Sequence, residues 1–181
     1  MVWSMIKAWW RDESGLAAAE AAMIFPILLT LLLGTFDLGN AILANQKSIR
    51  ASQIVADLVT RRSTVDDVDV NEAIEAGRLA LHPFDVEGFG VDVISIRFDD
   101  EAAAEIVWRE TQNMSPYSNA LSDVAALAEA NSGVVMVVVN YRYKPAFGDF
   151  VTGDIEMAER AFTRGRRSAV VCRDGVIGCG A

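Results

Sequence analysis

The chain has 181 residues, 52% of them hydrophobic, with a formal net charge of −9, one histidine and two cysteines. Setting aside the first 36 leaves roughly 145 residues, enough for one compact domain. Residues 38–181 carry 14 basic and 21 acidic side chains, a balance that argues against nucleic acid as a partner, because phosphate backbones attract basic surfaces.

Residues 1–14 place Val2, Met5, Ile6 and Trp9 on one helical face with Trp10 beside them. Three of the four tryptophans fall here, and tryptophan favours the headgroup zone, so the segment predicts a helix resting on a membrane. Residues 16–36 then form an almost wholly apolar run with one charge, Glu20. Twenty-one residues at ~1.5 Å each reach ~31 Å, about one bilayer core. A secretory signal would have a shorter apolar core and a small-residue cleavage site after it. Neither is present around Phe36, so the run reads as a retained span. A buried helix of a soluble protein fits less well, because the only residue from Ile24 to Leu32 that is neither apolar nor proline is Thr30. An acid in such a helix costs on the order of 2.5–3.5 kcal/mol at the bilayer centre, which makes Glu20 a candidate for a partner or a task. Pro26 removes one backbone hydrogen bond, to the carbonyl of Ala22, and favours a kink.

Beyond Phe36 the helical spacing continues through Leu38, Ile42, Asn45, Ile49, Ser52, Ala56 and Val59, widened by Ile54 and Leu58. With no proline between Pro26 and Pro83, this predicts one helix from Leu16 to about Arg62, the first half in a bilayer and residues 37–62 against a soluble domain. Gly34 and Gly39 are its soft points. Ser63 or Thr64 is expected to cap a second helix, with Asp66 and Asp67 in its first turn and an end at His82-Pro83. Ile94, Ile96 and Phe98, then Ile106 and Trp108, predict a β-hairpin with one buried face. Residues 120–130 predict a short helix, residues 134–143 a central strand covered on both faces, and residues 155–164 a fourth strand. The fold class is therefore α+β: a long N-terminal transmembrane helix continuing onto an antiparallel sheet domain, residues 63–181, with short helices.

Cys172 and Cys179 flank a loop containing Gly175 and Gly178. A disulfide would pin a fraying tail there in an oxidising compartment, with free thiols as the alternative. Two cysteines and one distant histidine do not make a zinc site. Lys7 and Arg11 before the span balance Lys47 and Arg50 after it, so basic residues leave orientation tied. The cysteine pair places the large domain outside the cytoplasm. Arg160, Arg164, Arg166, Arg167 and Arg173 form a basic cluster that reads as solvated surface. The alternative is contact with lipid phosphates or with an acidic patch such as Asp66, Asp67 and Asp69 on another subunit. His82 reads as a helix-end residue. Asp99, Asp100 and Glu101 lack the spacing of a calcium loop and read as a solvated turn. With no Ser/His/Asp grouping and no phosphate-binding glycine loop, neither enzymatic activity nor a cofactor is expected.

The stretch Glu13-Ser14-Gly15-Leu16-Ala17-Ala18-Ala19-Glu20-Ala21-Ala22, followed by Met23-Ile24-Phe25-Pro26-Ile27-Leu28-Leu29 and later Asp37-Leu38-Gly39-Asn40, closely resembles the N-terminus of TadE-like proteins. These are pseudopilins of the tight-adherence (Flp-type, type IVb) pilus system. The resemblance is specific over residues 15–40 and architectural beyond them, with Ala21 where the family often has an aromatic. A TadG-like or other pseudopilin assignment is the alternative within the same class. The resemblance implies a pilin-like fold, a cytoplasmic leader over residues 1–15, and cleavage by a prepilin peptidase between Gly15 and Leu16. Cleavage would leave a new amine on Leu16 with Glu20 as the fifth residue, so that the two can pair within a chain or between neighbouring subunits. The partners implied are the peptidase, other pseudopilins, the major Flp pilin, the inner-membrane assembly platform and membrane lipid. The implied place is the bacterial inner membrane, single-pass, with the C-terminal domain in the periplasm or carried into an extracellular pilus. The implied role is pilus assembly, surface adhesion and biofilm formation. The competing reading is an uncleaved, single-pass, membrane-anchored extracytoplasmic sensor or binding domain.

Overall fold

A computed structural model describes Trp3, residues 14–148 and 153–176, and Cys179. The expected interfacial stripe of Val2, Met5, Ile6, Trp9 and Trp10 lies outside the described residues. The first long element is helix α1, Ser14–Val59, which runs unbroken through Pro26, Gly34 and Gly39. Its halves have opposite surroundings. Every residue from 16 to 36 is exposed except the half-buried Leu33, whereas Ala44, Ser48, Ala51, Ser52, Val55, Ala56 and Val59 are buried.

That buried face keeps only the second half of the stripe expected from the sequence, Ser52, Ala56 and Val59. Leu38 and Ile42 are 62% and 52% exposed. The face that meets the domain is one of small residues, which lets the helix backbone lie close to the sheet. Its hydroxyls cost little because each bonds its own helix: Ser48 Oγ donates to the Ala44 carbonyl at 3.0 Å, Ser52 Oγ to Ile49 at 2.8 Å and Thr60 Oγ1 to Ala56 at 2.7 Å.

After β1 (Thr64–Val65) comes α2, Asp67–Ala80. Its cap is Asp66, two or three residues beyond the position expected. Asp66 Oδ1 accepts from the Asp69 amide at 2.7 Å and Asp69 Oδ2 accepts from the Asp66 amide at 3.4 Å, a reciprocal capping box. Ser63 and Thr64 are drawn away because the chain there pairs with the tail. The other end of α2 is closed from α1: Lys47 Nζ donates to the carbonyls of His82 at 2.6 Å and Ala80 at 3.4 Å. The His82–Pro83 peptide beyond it is cis. Gly77 marks the crossing of α2 over α1, where a Cβ would overlap the Val55 side chain.

The sheet comprises β2 (Phe89–Phe98), β3 (Ala104–Gln112), β4 (Ser132–Tyr143) and β5 (Ile155–Thr163), antiparallel throughout in the order β3-β2-β4-β5. One face packs on α1 and α2 through Val91, Val93, Val135, Val137, Val139, Tyr141 and Met157. The other face carries Ile94, Ile96, Phe98, Met136 and Val138 beneath the short helix α3 (Ala120–Val124) and the 3-10 turn after it. The sheet is thus the middle of three layers.

Strand β2 is therefore covered on both faces, unlike the one-sided hairpin expected. The hairpin also holds a bulge between Ser95 and Ile96, so that Ile106 pairs with Ile96 and Trp108 with Ser95. Two side chains two residues apart consequently point to opposite faces, Ile106 toward α3 and Trp108 toward α1. The tail returns as β6 (Cys172–Arg173), parallel to β1, with Thr64 opposite Cys172 and Val65 opposite Arg173. It is held by the Val171 carbonyl, which accepts from Ser95 Oγ at 2.7 Å and from Trp108 Nε1 at 2.8 Å.

Candidate functional site at the apolar helix and its exit

The sequence-singled residues of the span all lie on one helix. Gly15 is in the first turn of α1, and nothing lies within 4 Å of where its Cβ would be. Leu16 and Glu20 are exposed and one turn apart, ~6 Å along the axis. Pro26 sits within the helix, and its carbonyl accepts from Thr30 Oγ1 at 2.8 Å. Thr35 Oγ1 likewise donates to Leu31 at 2.7 Å and Asn40 Nδ2 to Phe36 at 3.1 Å. Thr30, Thr35 and Asn40 thereby each place a side-chain donor on a carbonyl of the helix itself, which suits a low-dielectric environment. The helix is long and apolar enough to cross a membrane, with a mean hydropathy of 2.2 over its most apolar window, none of which is buried. It is compatible with single-pass membrane anchoring.

One residue ties the exit of that helix to a loop of the domain, and the sequence marked it only as part of a family-like string. Asp37 is 8% exposed, directly after the apolar run. Its carboxylate accepts from the backbone amides of Ala146 at 3.0 Å, Phe147 at 3.0 Å and Gly148 at 2.5 Å. Three converging amides form a small anion cradle in the loop between β4 and β5. Phe36 meets Phe147 edge to face with centroids 5.7 Å apart. Burial first, and then the Asp37 charge, push the hydroxyl of the neighbouring Tyr143 above its ordinary value. No spacing rule connects residue 37 with residues 146–148, more than a hundred positions away; the one available signal was an acid at the apolar-to-polar boundary.

Cys172 and Cys179 are bonded, with Cα atoms 5.6 Å apart. The arginine cluster is spent largely inside the chain. Arg160 pairs with Asp123 at 2.6 Å, Arg164 with Glu129 at 2.6 Å, and Arg166 with Asp57. Arg173 bridges Asp67 at 2.8 Å and Glu110 at 3.0 Å and lies over the Trp108 ring. The acidic stretch 66–69 does meet arginines, but those of its own subunit: Asp67 meets Arg173 and Asp69 meets Arg62. Asp99 Oδ1 accepts from the amides of Glu101 and Ala103 at 3.0 and 2.7 Å, which makes 99–103 a turn closed on its own side chain.

The Arg160 guanidinium, followed by the Tyr117 hydroxyl, holds Asp123 below the ordinary carboxylate value of 3.8. A lowered folded value means that this pair favours the fold fully above 3.8 and that the contribution is lost as pH falls through the folded value. Arg160→Gln is expected to raise the Asp123 midpoint toward 3.8, read by an NMR carboxyl titration. An unmoved midpoint would show that Arg160 is not the cause.

In comparison with known families, residues 15–57 match the family model described as TadE-like protein. No curated protein and no solved structure matches the chain. The match begins at the glycine of the expected cleavage site and runs almost to the end of α1. It takes in Glu20, Pro26 and Asp37. The match thus spans both the exposed and the buried half of the long helix.

Proposed function

We propose that the chain is a Tad/Flp pilus pseudopilin, a structural subunit with no catalytic role. The carrying observation is that the TadE-like match covers a helix whose first half has no cover from its own fold. In this reading residues 1–15 are a cytoplasmic leader, residues 16–36 cross the inner membrane and residues 63–181 lie in the periplasm. The bonded pair Cys172–Cys179 supports the oxidising side. A prepilin peptidase cuts between Gly15 and Leu16. Because Gly15 stands in a helical turn, cutting needs that turn to unwind, and glycine lowers the helix preference there by about 1 kcal/mol relative to alanine.

The new Leu16 amine would then pair with Glu20 of the same chain or of a neighbouring subunit, offsetting the cost of a carboxylate in the bilayer. Partners in this reading are the peptidase, other pseudopilins, the major Flp pilin and the inner-membrane platform. The outcome is pilus assembly with surface adhesion and biofilm formation.

N-terminal sequencing of protein from cells with and without the peptidase tests this. A mature chain starting at Leu16 only where the peptidase is present supports it. A chain starting at Met1 in both strains overturns it and leaves an uncleaved anchored extracytoplasmic domain. Glu20→Ala is expected to abolish pilus assembly; unchanged piliation and adhesion would remove the pairing role.

A further inference from the structure

A cleft of about 320 Å³ opens where α1 leaves the apolar run. Its floor is the helix, through Thr30, Leu33, Gly34 and Leu38, and its roof is the loop 145–148 that Asp37 holds, with Ile155 beside it. The polar atoms of its wall are already engaged. Thr30 Oγ1 is bonded to the Pro26 carbonyl, and both Asp37 oxygens are bonded to loop amides. Water entering it would find few of the two to four polar partners that hold a buried water. The cleft is continuous with the exposed apolar run, and Thr30 lies six residues before Phe36, ~9 Å deeper along the axis. With residues 16–36 spanning, its lower part faces hydrocarbon and its upper part the headgroup zone, where the roof's Phe147 is 47% exposed.

We propose that this cleft seats an acyl chain of a bilayer phospholipid, gripping one lipid between the membrane helix and the folded domain. A second copy's helix suits it less well, because a helix with side chains is ~10–12 Å across, large against a cleft of about 320 Å³. The seat depends on the Asp37 contact: without it the roof is not held against the helix. The inference rests on the single-pass reading of α1 proposed above.

The test uses the full chain in vesicles of phosphatidylethanolamine and phosphatidylglycerol. In separate samples, Phe147→p-benzoyl-phenylalanine and Phe25→p-benzoyl-phenylalanine report by photo-crosslinking. Phe25 is 64% exposed on the span and does not line the cleft. Lipid adducts are expected at both positions. Gly34→Trp is the competitor, since a Cβ at Gly34 meets nothing within 4 Å and an indole can occupy the floor. It is expected to lower the Phe147 lipid adduct roughly five-fold, because an indole takes up much of a cavity this size. The Phe25 adduct is expected to stay unchanged. Lipid adducts at Phe25 but none at Phe147 would overturn the seat and leave the span standing. A chain-to-chain adduct at Phe147 would give the cleft to a second copy and overturn the seat. A Phe147 adduct indifferent to Gly34→Trp would likewise overturn it. Loss of lipid adducts at both positions would overturn the span and the seat together.

Discussion

Arg109→Met is expected to lower the stability of the folded domain by about 3–5 kcal/mol, the usual loss when one member of a buried ion pair is removed. Asp92 is 0% exposed in the face of β2 that looks toward α3. Its carboxylate takes Nε of Arg109 at 2.9 Å, Nη2 of Arg109 at 2.5 Å, Thr111 Oγ1 at 2.8 Å and the Tyr117 amide at 2.8 Å. Arg109 also donates to the Tyr117 carbonyl at 2.6 Å. Both backbone groups of Tyr117 are thus fastened to the sheet, and Tyr117 then hands its hydroxyl to Asp123 at 2.9 Å. The network nails the third layer to the strands. Methionine keeps the aliphatic volume but leaves the carboxylate charged and dry, with only two of its partners left. A fall in Tm of roughly 10 °C is the corresponding thermal shift for a domain of this size. Denaturation of the full chain in detergent, followed by circular dichroism, measures it. The double variant Asp92→Leu/Arg109→Met is expected to recover most of the loss, since it removes the stranded charge as well. A single variant as stable as the parent would show that Asp92 reaches water in solution.

Asp37→Ala is expected to free the loop 145–148 from α1. Three backbone amides lose their acceptor at once, and a buried unpaired donor costs ~1–3 kcal/mol. The loop is near the surface and can turn its amides to water, so the net local loss is ~2–4 kcal/mol rather than the full sum. Hydrogen exchange at Ala146, Phe147 and Gly148 should accelerate by roughly 30- to 1000-fold, the kinetic image of that energy. Exchange in the middle of β4 should stay as it was, because those amides pair with β2 and β5 on either side. Asp37→Asn keeps one acceptor oxygen and is expected to fall between. Equal exchange in parent and Asp37→Ala would mean that the Phe36–Phe147 contact alone holds the loop. With the clamp gone, loop 145–148 would loosen, while the buried face from Ala44 to Val59 keeps the helix packed in the core.

Local chemistry made much of this molecule legible in advance. The apolar run of 16–36, the helical continuation past it, the strand at 134–143 and the termination at His82-Pro83 all follow from patterns within a dozen residues, and the structure has each of them. Where reading failed, the deciding partner was distant. The stripe of Leu38 and Ile42 has the right period, but the domain took the smaller face beginning at Ala44, because close packing against a sheet favours small side chains over the largest apolar ones. The cap moved from Ser63 or Thr64 to Asp66 because β1 was claimed by the tail at Cys172. The bulge at Ser95 and Ile96 turned Ile106 and Trp108 to opposite faces, which alternation along one strand cannot show.

The same division holds for the candidate site. Sequence alone identified the apolar helix, its one acid at Glu20, its proline and the TadE-like string around Gly15, since these features lie in consecutive residues and need no fold to be read. Asp37 is different. Its side chain matters through three amides brought to it by the loop between β4 and β5, and so do the arginines of 160–173 through the acids they meet. Hydrogen bonds and ion pairs act over a few ångströms, and only folding brings residues a hundred positions apart within that reach. The way loop 145–148 is tied to the long helix, and the cleft that this contact roofs, were therefore settled in three dimensions.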